Sequence, residues 1–367
     1  MLVEKRIYDQ QKIHRELESK MLPIEGLRID ELHIKNEEDD MSGVKNSNYP
    51  DSKINLPSKH YSFQERRLSY TEDKNVYSNQ IITLKNNTYS YMQSLGNCLG
   101  QGSYGRVFKG TTTNKLLKNK GVAIKEMLSV FVNENEMNIM KAVSSEFLVK
   151  LVDIYQDCNF FKTFLIMELC DSDLLQFLKV NNVLCTNNLR TVIDNIVRGY
   201  YVLYENKIVH RDIKPQNILI MTDNTSNNII SAKITDFGIS RVMEIKEDGS
   251  GDLELSNVAG TLHYMAPEVG VNLLHVSMYN YPVDVWSMGC VFYECLMGKI
   301  PFDEKDICRL ILYAAGNNYD GYEKPSFEDN LYHDYQDLIN QMLEINYKNR
   351  ITPVKLLEKI QNMISQF

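Results

Sequence analysis

The run His210-Arg211-Asp212-Ile213-Lys214-Pro215-Gln216-Asn217, with Asp236-Phe237-Gly238 downstream, gathers several reactive side chains in a short stretch. A carboxylate such as Asp212 can take a proton from a hydroxyl while aligning its oxygen for attack. An ammonium such as Lys214 can offset negative charge that develops on a transferring group. The amide of Asn217 and the carboxylate of Asp236 offer hard oxygens of the kind magnesium prefers, with its other positions kept for phosphate and water. Upstream, Gly100-Gln101-Gly102-Ser103-Tyr104-Gly105-Arg106-Val107 spaces three glycines closely. Backbone without Cβ atoms can fold tightly over phosphates and present its N–H groups to them.

The glycine spacing alone is ambiguous, because a dinucleotide-binding turn uses the same one. Such a turn opens a helix, however, whereas here β-rich Val107-Phe108 follows and Val122-Ala123-Ile124-Lys125 comes next. An oxidoreductase built on the glycine motif is excluded, because nothing downstream of Val107 fits one. His210 reads as a packed structural histidine, neither a base nor a metal ligand.

These residues need elements to hold them. Short β-rich runs predict a small sheet: the strand entering Leu99, then Arg106 to Phe108, Val122 to Ile124, Leu148 to Tyr155 and Phe164 to Ile166. After Asp173 the pattern turns helical. Leu189, Val192, Ile193, Ile196, Val197 and Tyr200 recur at three and four, and a second apolar helix runs from Val283 to Leu296. The last helices are expected over Asp334–Asn346 and Pro353–Ser365.

At 367 residues the chain can hold one large domain and an extension. The balance of 40 Lys+Arg against 48 Asp+Glu, net −8, argues against a nucleic-acid binder that relies on phosphate contacts. Seven cysteines without a C-x-x-C pair read as free or buried thiols in a reducing compartment. The start lacks an apolar signal region, and no run approaches the roughly 18 apolar residues of a membrane span. Neither secretion nor membrane insertion is expected, and a cytoplasmic location, with nuclear access left open, follows. In residues 1–22, Val3, Ile7, Ile13, Leu17 and Met21 fall near helical spacing, as either a docking or self-association helix or a marginal solvated one. Residues 35–80 are too polar to offset their ordering entropy and read as a linker.

In order and content the motifs resemble those of the eukaryotic protein kinase family, of the serine/threonine type, with no subfamily assigned. The resemblance implies an α+β, two-lobed protein kinase fold, with a small β-rich N-lobe over 91–170 and a larger helical C-lobe over 171–365. Residues 1–90 would be an N-terminal extension, largely disordered, and a possible docking or regulatory site for partners. ATP and Mg2+ are implied as cofactors and proteins as substrates. Asp212 would be the catalytic carboxylate and Lys214 would lie near the transferring phosphoryl group, with Asn217 and Asp236 on magnesium. Leu99, Gly100, Gly102 and Gly105 would cover the nucleotide, and Lys125 would meet its α- and β-phosphates. Glu136 is the expected helix partner of Lys125, with Glu134 the competing candidate; the span from Lys125 is shorter than most of the family uses. The helix is therefore expected to begin almost at once after the strand, a turn or two before Glu136.

Further roles follow from the same resemblance. Ile166 to Asp173 would be the hinge, with Met167 as gatekeeper, the backbone of Glu168 and Cys170 on adenine, and Asp173 on the ribose. Val107, Ala123 and Leu219 would sandwich the adenine ring. Lys214 and Gly260-Thr261-Leu262-His263-Tyr264-Met265-Ala266-Pro267-Glu268 point to serine/threonine specificity. Glu268 would pair with Arg350, Asp284 would anchor the catalytic loop, and Met140, Leu151, His210 and Phe237 would stack between the lobes. Arg211 would take a phosphate from the activation segment, with Ser256 the first choice and Ser250 and Thr261 nearby. The acidic residues of that segment could instead satisfy Arg211 without phosphorylation. Arg66-Arg67-Leu68-Ser69 has the look of a site for a basophilic kinase or of an ordinary charged loop. Gln216 makes a strong preference for upstream arginine unexpected. The alternative is a kinase-fold scaffold that binds nucleotide without useful catalysis.

Overall fold

The computed structural model describes residues 80–102, 105–115, 117, 121–132, 134–223, 225–226, 228–237, 241–242, 262–272, 280–327 and 332–365. The first element is a hairpin, β1 (Ile81–Leu84) and β2 (Tyr89–Met92), paired from Ile81↔Met92 to Leu84↔Tyr89. Lys85, Asn86 and Asn87 all take positive φ at its turn, a region that asparagine tolerates well. The sheet thus starts at Ile81, ahead of the boundary at Tyr91 that composition suggested. The polar turn is the reason, since it makes two short strands read as linker.

The chain continues through β3 (Cys98–Gly102), β4 (Gly105–Thr112) and β5 (Val122–Leu128). A 3-10 turn over Ser129–Phe131 and α1 (Glu134–Ala142) follow, then β6 (Leu151–Asp157) and β7 (Lys162–Glu168). The sheet order is β1-β2-β4-β5-β7-β6, with β3 also on β4. It curls, because Lys85 Nζ and the Tyr89 hydroxyl at one end of the order donate to Asp153 in β6 at the other, at 2.5 and 3.0 Å. Strand β5 lies in the middle and is buried on both faces. Ala123 and Met127 join the main core, while Val122 and Ile124 join a second one with Leu84, Tyr89, Tyr91, Phe108, Phe164 and Ile166. The hairpin therefore roofs the side of the sheet turned away from α1.

Helix α1 starts at Glu134, which puts Glu136 in its first turn. The helix does not begin directly after the strand. The intervening 3-10 turn is pinned to β7 and its preceding loop: Ser129 N–H donates to Phe161 O at 2.7 Å, and the Ser129 and Thr163 hydroxyls are 3.1 Å apart.

Beyond β7 the chain is mostly helical: β8 (Ser172–Asp173), α2 (Leu174–Asn181), α3 (Thr186–Glu205) and β9 (Ile208–Val209). Next come β10 (Ile218–Thr222), β11 (Ile229–Ile234), β12 (Arg241–Val242), α4 (Pro267–Asn272) and α5 (Pro282–Met297). The chain closes with α6 (Glu304–Gly316), α7 (His333–Met342) and α8 (Pro353–Ser365). A β-rich lobe precedes a helical one, as the α+β expectation had it.

Almost all of α5 is buried, which a helix apolar on every side requires. Proline opens it, and Gly298 at φ 69° closes it in the left-handed conformation that glycine adopts without strain. Helix α3 instead buries one stripe, Leu189, Val192, Ile193, Ile196, Val197 and Tyr200, the period-3.6 pattern visible in the sequence. Helix α7 ends at Met342, short of the expected Asn346, and Leu343 caps it onto Ile339 O. Helices α2 and α6 bury apolar residues at helical spacing, Leu174, Phe177 and Leu178 in one and Ile307 and Leu310 in the other. Each is capped, by Asp173 onto Gln176 N–H and by an Asp303/Asp306 capping box. A single apolar core runs from Ala123 and Met140 in the first lobe through Phe237 to Trp286 in the second. No helix among the described residues is long and apolar enough to cross a membrane.

Candidate active site

The loop between β9 and β10 is built from below by α5. Asp284, fully buried, accepts the backbone N–H groups of His210 and Arg211, both at 2.7 Å. Burial raises the pKa of its carboxyl, against the opposing pull of His210 and these N–H groups. The grip holds Arg211 at φ 71°, a left-handed conformation that costs a non-glycine residue energy unless its surroundings enforce it. His210 is fully buried; its Nε2 faces Thr235 O at 3.0 Å and its Nδ1 accepts Asp212 N–H at 3.3 Å. Its ring also meets Phe237 edge to face at 5.4 Å. The ring is spent on packing and on holding the backbone, as the sequence suggested.

So held, the Asp212 carboxylate receives Lys214 Nζ at 2.7 Å and Asn217 Nδ2 at 2.9 Å. Asn217 Nδ2 also donates to the Asp212 carbonyl at 2.8 Å. With its nitrogen committed to Asp212, the Asn217 amide turns its oxygen the other way. The β10–β11 hairpin, with Ile218 opposite Ile234, carries Asn217 alongside Thr235, whose N–H donates to Asn217 O at 3.0 Å. Asp236 follows at φ 64°.

Lys125, from the other lobe, reaches Asp236 Oδ1 at 3.3 Å. Burial works to raise the Asp236 pKa, but the charge of Lys125, with His210 and Lys214 beyond it, more than offsets this and leaves it below the ordinary carboxylate value. Asp212 with Lys214 and Asn217, and Asp236 with Lys125, thus bring two carboxylates, an amide and two ammonium groups to this part of the molecule. This donor set fits magnesium, which takes one or two carboxylates and draws the rest of its shell from phosphate and water.

Above Lys125 the glycine-rich loop connects β3 to β4, with Gly102 opposite Gly105. A Cβ on Gly100 or Gly102 would meet no atom within 4 Å, so the space over these two is open to a ligand. Gly105 differs: a Cβ there would stand 2.2 Å from Glu126 O and 2.9 Å from Met127 Cγ. Gly105→Ala should therefore push β4 off β5 and destabilise the fold by about 1–3 kcal/mol. Chemical denaturation checks this, and an unchanged midpoint would show that the strands part freely.

The hinge residues lie where β7 runs into β8. Met167 is 8% exposed and sits across from Ala123 on β5. Val107 is opposite Lys125, and Leu219 is opposite Asp173 on β8. The Asp173 carboxylate caps α2 through Gln176 N–H at 2.9 Å. Burial pushes the Cys170 thiol up to about 12, so it stays protonated and unreactive at neutral pH. Leu99 is 41% exposed at the loop entrance.

Sequence reasoning missed what braces this hinge. The Glu168 carboxylate takes Lys233 Nζ at 2.8 and 2.9 Å and Lys150 N–H at 2.8 Å, while Asp171 accepts Thr222 N–H at 2.8 Å. The one signal was a lysine interrupting the apolar strand Ile229–Ile234. The side chains of Glu134 and Glu136 lie outside the described residues, as do Ser103, Tyr104, Gly238, Ser250, Ser256, Thr261 and residues 1–79.

Among known proteins, the family model described as "Protein kinase domain" matches residues 94–360. Serine/threonine-protein kinase 33 of Bos taurus is 28% identical over 335 residues, which cover 87% of this chain and 64% of its own. Serine/threonine-protein kinase fused of Drosophila melanogaster is 30% identical over 225 residues, 59% of this chain and 26% of its own. Serine/threonine-protein kinase cds1 of Schizosaccharomyces pombe is 32% identical over 230 residues, 61% and 46% respectively. The chain thus spans less than two thirds of the length of each of these relatives.

Proposed function

Because this chain belongs to the protein kinase family, we propose that it is a serine/threonine kinase that moves the γ-phosphate of ATP onto serine or threonine hydroxyls through Asp212. The observation that carries this is the constellation in which Asp212 holds Lys214 and Asn217 while Lys125 reaches Asp236 across the cleft. Asp212 accepts the hydrogen bond, and later the proton, of the substrate hydroxyl. Lys214, 2.7 Å from that carboxylate, places positive charge where the transferred group would pass. Lys125 anchors the α- and β-phosphates, and Gly100, Gly102 and Gly105 fold over them. Asn217 and Asp236 would hold magnesium, which when bound neutralises charge on the phosphates. Val107, Ala123 and Leu219 would enclose adenine, with the backbone of Glu168 and Cys170 on its edge, Asp173 toward the ribose and Leu99 at the entrance. Glu136 remains the proposed partner of Lys125. Proteins are the proposed substrates, and residues 1–90 the proposed docking or regulatory region.

A second reading, nucleotide binding without useful transfer, draws on one observation: Glu136 sits in the first turn of α1, where a helix is least firmly held. Lys125 offers the test of the nucleotide site. Lys125→Met should weaken Mg-ATP binding by about tenfold or more, since a charge-assisted contact to phosphate is lost. It should also change the pH profile. In the wild type the depressed pKa keeps Asp236 ionised above that value and loses it only as pH falls through it. Removing Lys125 lifts that pKa, so the acid limb of Mg-ATP binding moves to higher pH. Binding titrations across pH check both effects, and equal affinity in wild type and variant would remove Lys125 from the site.

A further inference from the structure

Directly behind Lys125, on the side of the sheet turned away from the cleft, lies a polar cluster the chemistry does not use. Side chains alternate along a strand, so Lys125 and Glu126 point to opposite faces of β5. Glu126 is 6% exposed. Its carboxylate accepts the Tyr91 hydroxyl at 2.9 Å and the Gln93 amide at 3.2 Å, and it also takes Lys162 Nζ. Arg106, which leads out of the glycine-rich loop, is the cross-strand partner of Glu126. Burial first, and the Glu126 charge second, raise the Tyr91 pKa while Arg106 pulls it down, which places Arg106 beside the same group. Tyr91 therefore stays protonated and keeps donating.

The cluster joins four segments: the N-terminal hairpin, the strand leaving the glycine-rich loop, the strand of Lys125 and, through Lys162, the start of β7. Tyr91 also stacks on Phe108 at 5.1 Å, so apolar contacts fix its ring while its hydroxyl fixes Glu126. Gly105 lies against the Glu126 carbonyl, so a shift of Glu126 reaches the phosphate loop from one side and Lys125 from the other. A buried carboxylate is weak as a source of stability, because apolar residues of like volume serve as well or better. Its use here is geometric.

We propose that Tyr91, Gln93 and Glu126 are positioning residues for phosphoryl transfer, fixing Lys125 and the end of the glycine-rich loop from behind. The Tyr91–Gln93 end of the hairpin, and not the whole of it, then supports the nucleotide site. The proposal rests on the reading of Lys125 and the glycine-rich loop as nucleotide-binding.

The test uses the full chain carrying Tyr91→Phe or Glu126→Gln, with Tyr89→Phe for comparison. The Tyr89 hydroxyl is on the same hairpin but bonds Asp153 in β6 and not the Glu126 carboxylate. A fluorescent ATP analogue with magnesium gives Kd, steady-state kinetics give KM and kcat, and thermal denaturation gives Tm. Tyr91→Phe and Glu126→Gln should raise Kd and KM for Mg-ATP about three- to tenfold, with kcat at saturating ATP kept within about twofold. Tyr89→Phe should lower Tm to a similar extent and leave Kd and KM unchanged. Wild-type Kd and KM in Tyr91→Phe and Glu126→Gln, with only Tm or the active fraction lowered, would overturn the proposal alone. A wild-type chain that does not bind Mg-ATP would overturn the nucleotide-site reading and the proposal with it.

Discussion

Asp212→Asn is expected to lower kcat by about three orders of magnitude, the usual range for loss of a positioned general base. KM for Mg-ATP should stay within about twofold, because the interaction removed belongs to the transition state. The surroundings of Asp212 make the prediction specific. An asparagine keeps the shape of the residue and an oxygen able to accept from Lys214 or Asn217, which stand at 2.7 and 2.9 Å. The loop itself is held elsewhere, through Asp284 on the N–H groups of His210 and Arg211. Folding should therefore survive, and the loss should fall on chemistry. Steady-state kinetics beside a thermal melt measure this. A drop in kcat below tenfold would mean that Asp212 is not the proton acceptor.

Arg350→Ala should cost about 3–5 kcal/mol of stability, because it strips one partner from a buried ion pair. The Arg350 side chain is fully enclosed and meets Glu268 at 2.6 and 3.1 Å. It also donates to Pro282 O at 2.7 Å and Glu344 O at 2.9 Å, and lies 5.0 Å over the Trp286 ring. Without it a carboxylate and the carbonyls of Pro282, Glu344 and Ile345 lose their donor together, and unsatisfied buried acceptors are what make such losses large. Arg350→Lys should recover little, since a point charge cannot reproduce the planar fork that serves Glu268 and the carbonyls at once. Urea denaturation should show a lower midpoint at an unchanged slope. A loss under about 1 kcal/mol would mean the site relaxes to admit water.

The pair was legible only through the resemblance to the kinase family, which also singled out the stretch from His210 to Asn217. The strand of Lys125 was legible from its β-rich run Val122-Ala123-Ile124. Where geometry depends on partners far along the chain, the sequence was silent. Nothing near Tyr91 announces Glu126 as the acceptor of its hydroxyl, and nothing near Glu168 announces Lys233. The hairpin at Ile81–Met92 hid because its turn, Lys85-Asn86-Asn87, has the composition of a linker, while its strands earn their place only by covering Val122 and Ile124. The start of α1 was misplaced because a 3-10 turn, held by Phe161 and Thr163, consumes residues that propensity alone would give to the helix. Short strands and helix starts are decided by tertiary contacts more than by local preference.

Transfer of labelled γ-phosphate from Mg-ATP decides whether these groups form a working phosphotransferase. The acceptor is a generic basic protein, Asp236→Ala is the comparison, and the labelled product is analysed for its phosphorylated residue type. Transfer by the full wild-type chain onto serine or threonine is expected, dependent on magnesium and abolished in Asp236→Ala. Magnesium-dependent ATP binding without any transfer, or transfer that persists in Asp236→Ala, would contradict it.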